Sequence, residues 1–186
     1  QKLYLTGGQM EFTYTNEQLA LQKRIKEFAI NEIEPLVDEF EEADKVPTEL
    51  LKKCGDIGLF GLDVPREFGG SEVDTVTYCM IIEELSKVCS ALAVIIAVHN
   101  SVCVFPLKTF GNQEQKQKYL PKLATGEYIG AFALTEPNAG SDAANIQTSA
   151  VKDGDNFKVN GTKIFITNGS ICHVSIALAK TSPEKR

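Results

Sequence analysis

No Cys-x-x-Cys pair, no basic excess and no long apolar run occur in this sequence, and each absence removes a class of function. The five cysteines, Cys54, Cys79, Cys89, Cys103 and Cys172, are odd in number and scattered. That pattern suits neither a metal site nor a disulfide framework. Four of them fall in helical-looking segments, as small buried hydrophobes do in a reducing compartment. The net charge of −6 gives no electrostatic footprint for nucleic acid or anionic lipid. The most apolar stretch, Ala91 to Val98, is far shorter than the ~18–20 residues that cross a bilayer, and it ends in His99 and Asn100. It reads as a buried helix. The residues before Met10 lack the apolar core of a secretion signal. Residues 1–11 are therefore expected to be a leader or a remnant, with Met10 a natural start and the protein not secreted.

What is present is the balance of a globular protein, 43% hydrophobic and 24% charged. Thr15 followed by Gln18 fits a capping box, and Leu21, Ile25, Phe28, Ala29, Ile33, Leu36, Val37 and Phe40 recur with helical spacing. Pro35 should kink that run. A second helix is expected from Pro47, with Leu50, Leu51, Cys54 and Ile57 inward. A third should be capped by Asp74, and a fourth capped by Ser90 and stopping near Pro106. A short one over Gln113 to Leu120 should be closed by Pro121. Near Gly126 the texture changes to β-branched residues and turn pairs. Asn160-Gly161 between two alternating runs predicts a hairpin, Asp153-Gly154-Asp155 a turn, and Ser175 to Ala179 a further strand.

The expected fold class is thus α+β: a helical bundle over 12–125, then an antiparallel β-barrel or sheet domain over 126–186. The latter holds too few strands to close and is expected to be incomplete.

Two segments carry the chemistry. Ala131 to Asp142 begins as a strand and turns into a small-residue loop. Pro137 fixes φ, Gly140 permits close approach of a ligand, and Thr135 and Ser141 offer hydroxyls. Read by composition alone, it is an ordinary turn. Gly161 to Gly169 alone is a hairpin arm with Phe165 in a core.

Together the pair, Ala-Phe-Ala-Leu-Thr-Glu-Pro-Asn-Ala-Gly-Ser-Asp and then Asn-Gly-Thr-Lys-Ile-Phe-Ile-Thr-Asn-Gly, resembles the acyl-CoA dehydrogenase family closely. Glu67 to Gly70 and Phe110 to Glu127 extend the likeness to most of the chain, and short-chain or butyryl-type members look nearest. The resemblance implies an N-terminal helical domain, a middle β domain, and a C-terminal four-helix domain that would be absent here. It implies FAD as cofactor. Phe132, Ala133, Leu134 and Thr135 would line the flavin ring, Gly140 and Ser141 would sit by the phosphate and acyl-CoA side, and Ser141 would also contact substrate. Phe165, Ile166 and Thr167 would form the other wall, with Phe165 where many relatives carry Trp.

The implied reaction is α,β-dehydrogenation of an acyl-CoA thioester in fatty-acid β-oxidation, with electrons passing to an electron-transferring flavoprotein. The implied assembly is a homotetramer, in a bacterial cytoplasm or the mitochondrial matrix. The family's catalytic glutamate lies in the C-terminal helices, so no catalytic residue is expected among these 186, and no metal. Glu136 and Asp142 read as loop braces, His99 and His173 as structural, and Glu83-Glu84 as a polar helix face. A flavin- or acyl-CoA-binding module without catalysis, one half of a split enzyme, and an acyl-CoA oxidase remain as alternatives.

Overall fold

The computed structural model describes residues 13–43 and 45–182, so the expected leader and the tail from Pro183 to Arg186 lie outside the described residues. Helix α1, Asn16–Phe28, starts at the expected capping box. Thr15 Oγ1 accepts the Gln18 N–H at 3.1 Å and Gln18 Oε1 accepts the Thr15 N–H at 2.9 Å. The run then passes through a wide π turn, Ala29–Ile33, and a 3-10 turn, Glu34–Leu36, before resuming as α2, Val37–Glu42. Pro35 sits in the tight turn, where the missing N–H is tolerated.

Helix α3, Thr48–Asp56, begins after Pro47, and α4, Thr75–Val88, is capped by Asp74, whose Oδ1 accepts the Thr77 N–H at 3.0 Å. Gln18 and Gln22 tie α1 to α4. Gln18 Nε2 donates to Thr77 Oγ1 at 3.0 Å and Gln22 Nε2 to Glu84 Oε1 at 2.8 Å. Glu84 is therefore buried against α1, not part of a polar face as expected from the Glu83-Glu84 pair. Ile25, Ile33, Phe40, Leu50, Phe60, Ile81, Leu85 and Ile96 make the main core.

The fourth helix departs from expectation at both ends. Its cap is Cys89, whose sulfur accepts the Leu92 N–H at 3.4 Å, one residue before Ser90. It does not stop at Pro106. Helix α5, Ser90–Val98, runs through a π turn, His99–Val104, into α6, Phe105–Phe110. Pro106 falls in the first turn after the wide one, where a helix accepts proline. Ser90–Phe110 is thereby a helix of 21 residues, long and apolar enough to cross a membrane by length and composition. The helix is thus longer than the Ala91–Val98 stretch, while the reading of that stretch as a buried helix holds. Leu92, Ala93, Ile96, Cys103 and Val104 on it are buried in the protein's own core. Helix α7, Gln113–Ala124, likewise carries Pro121 inside it, since the carbonyl of exposed Gln117, four residues back, can turn to water. Among the cysteines, Cys79 is exposed rather than buried.

The β part differs most. Strand β1, Gly130–Ala133, pairs in parallel with β4, Val174–Ala177, in the register Phe132 opposite Ile176. Strands β2, Ser149–Asp153, and β3, Asn156–Asn160, form an antiparallel hairpin. Among the described residues these are two separate two-stranded sheets with no closed barrel. The hairpin turns at Gly154, with φ of 60°, and not at Asn160-Gly161. Gly161 instead lies on Thr148, where any Cβ would overlap the threonine side chain. Thr162 to Thr167 is accordingly not a strand. The chain needs that stretch to travel back to the head of β1, and the long return permits a parallel pairing where a tight hairpin would force an antiparallel one.

Candidate functional site

Glu136 organises the loop after β1. It is 5% exposed, and its carboxylate accepts the N–H groups of Gln147 and of Thr148, the latter at 3.0 Å, and an ion pair from Lys163 Nζ at 2.8 Å. Burial pushes its pKa up, but Lys163, Thr148 and the Gln147 amide outweigh it and hold the carboxyl at about 2. A carboxylate so held stays ionised and braces its loop; it is no base at neutral pH. Lys163 Nζ also donates to Leu134 O at 2.8 Å. One side chain from the second motif thus fastens two consecutive parts of the first.

The two motifs run side by side in opposite directions. The Ile164 N–H donates to Thr135 O at 2.9 Å, and Asn168 Nδ2 donates to Gly130 O at 2.9 Å. Of the predicted residues, Phe132, Ala133 and Leu134 lie between these two links on one segment, and Phe165, Ile166 and Thr167 lie between them on the other. Thr135 is itself one of the linked residues. Ala133 is buried, whereas Phe132, Leu134, Thr135, Ile166 and Thr167 are half-buried. Gly140 and Ser141 are exposed on the loop beyond, and no hydrogen bond brings them to the other seven.

Phe165 is the outlier. It is 88% exposed and held at φ of 55°. A bulky aromatic in that region is strained by roughly 1–2 kcal/mol, and one in water gains nothing from burial. Read alone the sequence put it in a core; the structure puts it on the surface, beside a strand of small and apolar residues. An apolar ring presented outward, half-buried Phe132 and Leu134, the Thr135 and Thr167 hydroxyls, and a lysine already neutralised by Glu136 suit a flat, largely apolar aromatic ligand with a polar edge. The residues present therefore fit a flavin ring.

Sequence reasoning missed Asn168, Lys163 and part of what His99 does. Asn168, at φ of 66° and buried, lies within the stretch from Gly161 to Gly169 that the sequence reads as a hairpin arm, with no role assigned to its side chain. His99 is fully buried; its Nδ1 accepts the Gly130 N–H at 3.0 Å, its ring meets Phe60 edge-on at 4.9 Å, and its Nε2 has no partner. Burial lowers its pKa to about 4. His173 stacks on Tyr128 at 5.1 Å and accepts the Ile129 N–H at 3.2 Å.

Comparison with known proteins agrees with the two-motif reading. The profile described as acyl-CoA dehydrogenase, N-terminal domain, matches residues 15–127, and that of the acyl-CoA dehydrogenase middle domain matches residues 131–186. The chain belongs to the acyl-CoA dehydrogenase family. The short-chain specific acyl-CoA dehydrogenase of Clostridium acetobutylicum is 44% identical over 176 residues, covering 95% of this chain and 46% of that protein. Butyryl-CoA dehydrogenase from Megasphaera elsdenii superposes with a TM-score of 0.86 at 36% identity, over 93% of this chain and 46% of that one. An acyl-CoA dehydrogenase complexed with FAD from Bacillus anthracis superposes with a TM-score of 0.81 at 38% identity, over 90% of this chain and 30% of that one. The chain spans about half the length, or less, of these relatives.

Proposed function

We propose that this chain forms one side of the flavin and acyl-CoA site of an FAD-dependent acyl-CoA dehydrogenase acting on short acyl thioesters. The observation that carries it is Phe165, an exposed aromatic kept in a strained backbone conformation and framed, with Phe132 to Leu134, by two hydrogen bonds between the two segments. Strain concentrates where a ligand uses it. The FAD complex of the Bacillus anthracis relative supports the choice of ligand.

FAD, when bound, would supply the acceptor for a hydride leaving the β-carbon of the acyl group. Phe132, Ala133, Leu134, Phe165 and Ile166 would pack its ring and exclude water, with the Thr135 and Thr167 hydroxyls available to its polar edge. Gly140 and Ser141, exposed on their loop, would meet the phosphate and acyl-CoA side, Ser141 also contacting substrate. No residue of this chain is assigned as the base that removes the α-proton, and Glu136 is excluded by its ion pair with Lys163. An electron-transferring flavoprotein would be the partner that takes the electrons onward.

The test is a titration of the purified chain into FAD, read by flavin fluorescence and visible absorption, followed by anaerobic butyryl-CoA. Quenched and spectrally shifted flavin is expected. A flavin spectrum unchanged at saturating chain would refute the assignment of these residues as a flavin wall. Binding without bleaching on butyryl-CoA would identify a binding surface that needs a base from elsewhere; bleaching would place a working base within these 186 residues and overturn that part of the account.

A further inference from the structure

The backbone of Gly130 is held through both its N–H and its carbonyl by buried side chains from distant parts of the sequence. His99 Nδ1 takes its N–H at 3.0 Å, and Asn168 Nδ2 gives a hydrogen to its carbonyl at 2.9 Å. The same Asn168 amide also donates to Ile95 O at 3.0 Å, on α5. The two peptide units flanking Gly130, at the head of β1, are thereby fixed to the central helix and to the end of the second motif together. At the opposite end, Ile164 N–H and Lys163 Nζ close the frame on Thr135 O and Leu134 O.

We infer that Asn168, assisted by His99, is a positioning residue for the ligand wall. It sets the distance between the segment bearing Phe132 to Leu134 and the segment bearing Phe165 to Thr167. The geometry requires it because the second segment is not a strand and has no ladder of its own. Between residues 164 and 168 its lateral placement depends on the links at its two ends. The Lys163 end is doubly tied to the loop by Glu136 and Leu134, whereas the far end is tied to β1 by the Asn168 amide. Removing the amide takes its donor from the Gly130 carbonyl, whereas the Ile95 carbonyl keeps the His99 backbone N–H, so the loss falls on the link to β1. Asparagine also suits the positive φ there, which most other side chains resist. The functional consequence rests on the proposed flavin wall; the positioning itself does not.

The chain contains no tryptophan, so Phe165→Trp installs a single reporter on the wall. In that background Asn168→Gly keeps the backbone conformation and deletes the amide. Ile33→Val, in the core, serves as a variant that lowers stability without touching the frame. The readouts are tryptophan anisotropy, amide hydrogen exchange at residues 130–135, helical circular dichroism, melting temperature and FAD affinity. Asn168→Gly is expected to lower the anisotropy and to speed exchange at residues 130–135 by about tenfold or more, with helical signal retained and FAD affinity about tenfold weaker. Ile33→Val should leave anisotropy and affinity unchanged. If Asn168→Gly lowers only the melting temperature, as Ile33→Val does, the inference is overturned.

Should Asn168→Gly fail to fold, the same comparison is made with His99→Leu, which offers no acceptor to Gly130, and His99→Gln, which does. Loosening by leucine and recovery by glutamine support the frame; identical behaviour of the two overturns it. If the parent chain takes up no flavin, the proposed function falls, while the anisotropy and exchange still decide the positioning.

Discussion

Protonating His99 should unfasten the head of β1, and the size of the effect follows from its surroundings. Its Nδ1 accepts the Gly130 N–H, so an imidazolium there would direct one N–H against another. Burial lowers the pKa to about 4 from an ordinary 6.5. Folding therefore favours the neutral ring. Its contribution is fully present above pH 6.5 and is lost as pH falls toward 4. At about 1.4 kcal/mol per pH unit, that window corresponds to about 3 kcal/mol. The assay is urea unfolding followed by circular dichroism, on the parent and on His99→Gln, at intervals from above pH 6.5 down to pH 4. Glutamine retains an acceptor but does not titrate. Glu84 and Glu136 are common to both proteins and cancel in the difference. The difference in unfolding free energy should shift by about 3 kcal/mol in favour of His99→Gln as pH falls through the window. A difference independent of pH would refute the argument that burial and the Gly130 contact select the neutral imidazole.

Three further outcomes are expected. Phe165→Asn relieves the positive φ with little loss of buried surface, so it should raise unfolding free energy by about 1 kcal/mol while weakening FAD by roughly threefold to tenfold through the lost stacking; denaturant titration and flavin quenching on the same sample check the opposite signs. Glu136→Gln should lower stability at neutral pH. It should also flatten the acid limb between pH 4.5 and about 2, because the Glu136 contribution is present above the unfolded pKa and lost as pH falls through the folded one; unfolding curves at several acid pH values would show it. Asn112→Ala removes the cap of α7, where Asn112 Oδ1 accepts the Gln115 N–H at 2.8 Å, and should cost about 1 kcal/mol in thermal or urea unfolding.

The helical part was legible where the signal is local. The Thr15–Gln18 box and the Asp74 cap need only a few residues, and both form as read. The readings that failed depended on what lies across the fold. Pro106 and Pro121 are strong stop signals by sequence, yet a wide turn before one and a solvent-facing carbonyl behind the other let the helices run on. Asn160-Gly161 has the composition of a hairpin turn, but the residue that dictates Gly161 is Thr148, in an earlier strand connection. Glu84 looks like half of an exposed pair until Gln22 of α1 is placed against it. At the site, the two motifs and their partnership were readable as a resemblance. The bolts that align them, Lys163, Asn168 and His99, act over 27 to 38 positions of sequence and leave no local trace.

The parallel pairing of β1 with β4 has a consequence for how the chain acquires its shape. Ile129 and His173 are 44 residues apart, and the ladder between the strands begins with their contact. The helices that pack the main core are complete before residue 100 and can assemble from neighbouring segments. β1 cannot be zipped until residues 173–177 have been made and a long loop has closed, at an entropic cost that local helices do not bear. During synthesis the wall-bearing strand would thus wait, unpaired and apolar, on a folded helical platform. Folding should show a fast phase from the helices and a slower one from the β1–β4 sheet, and the slower phase would form the strand that carries the proposed ligand wall.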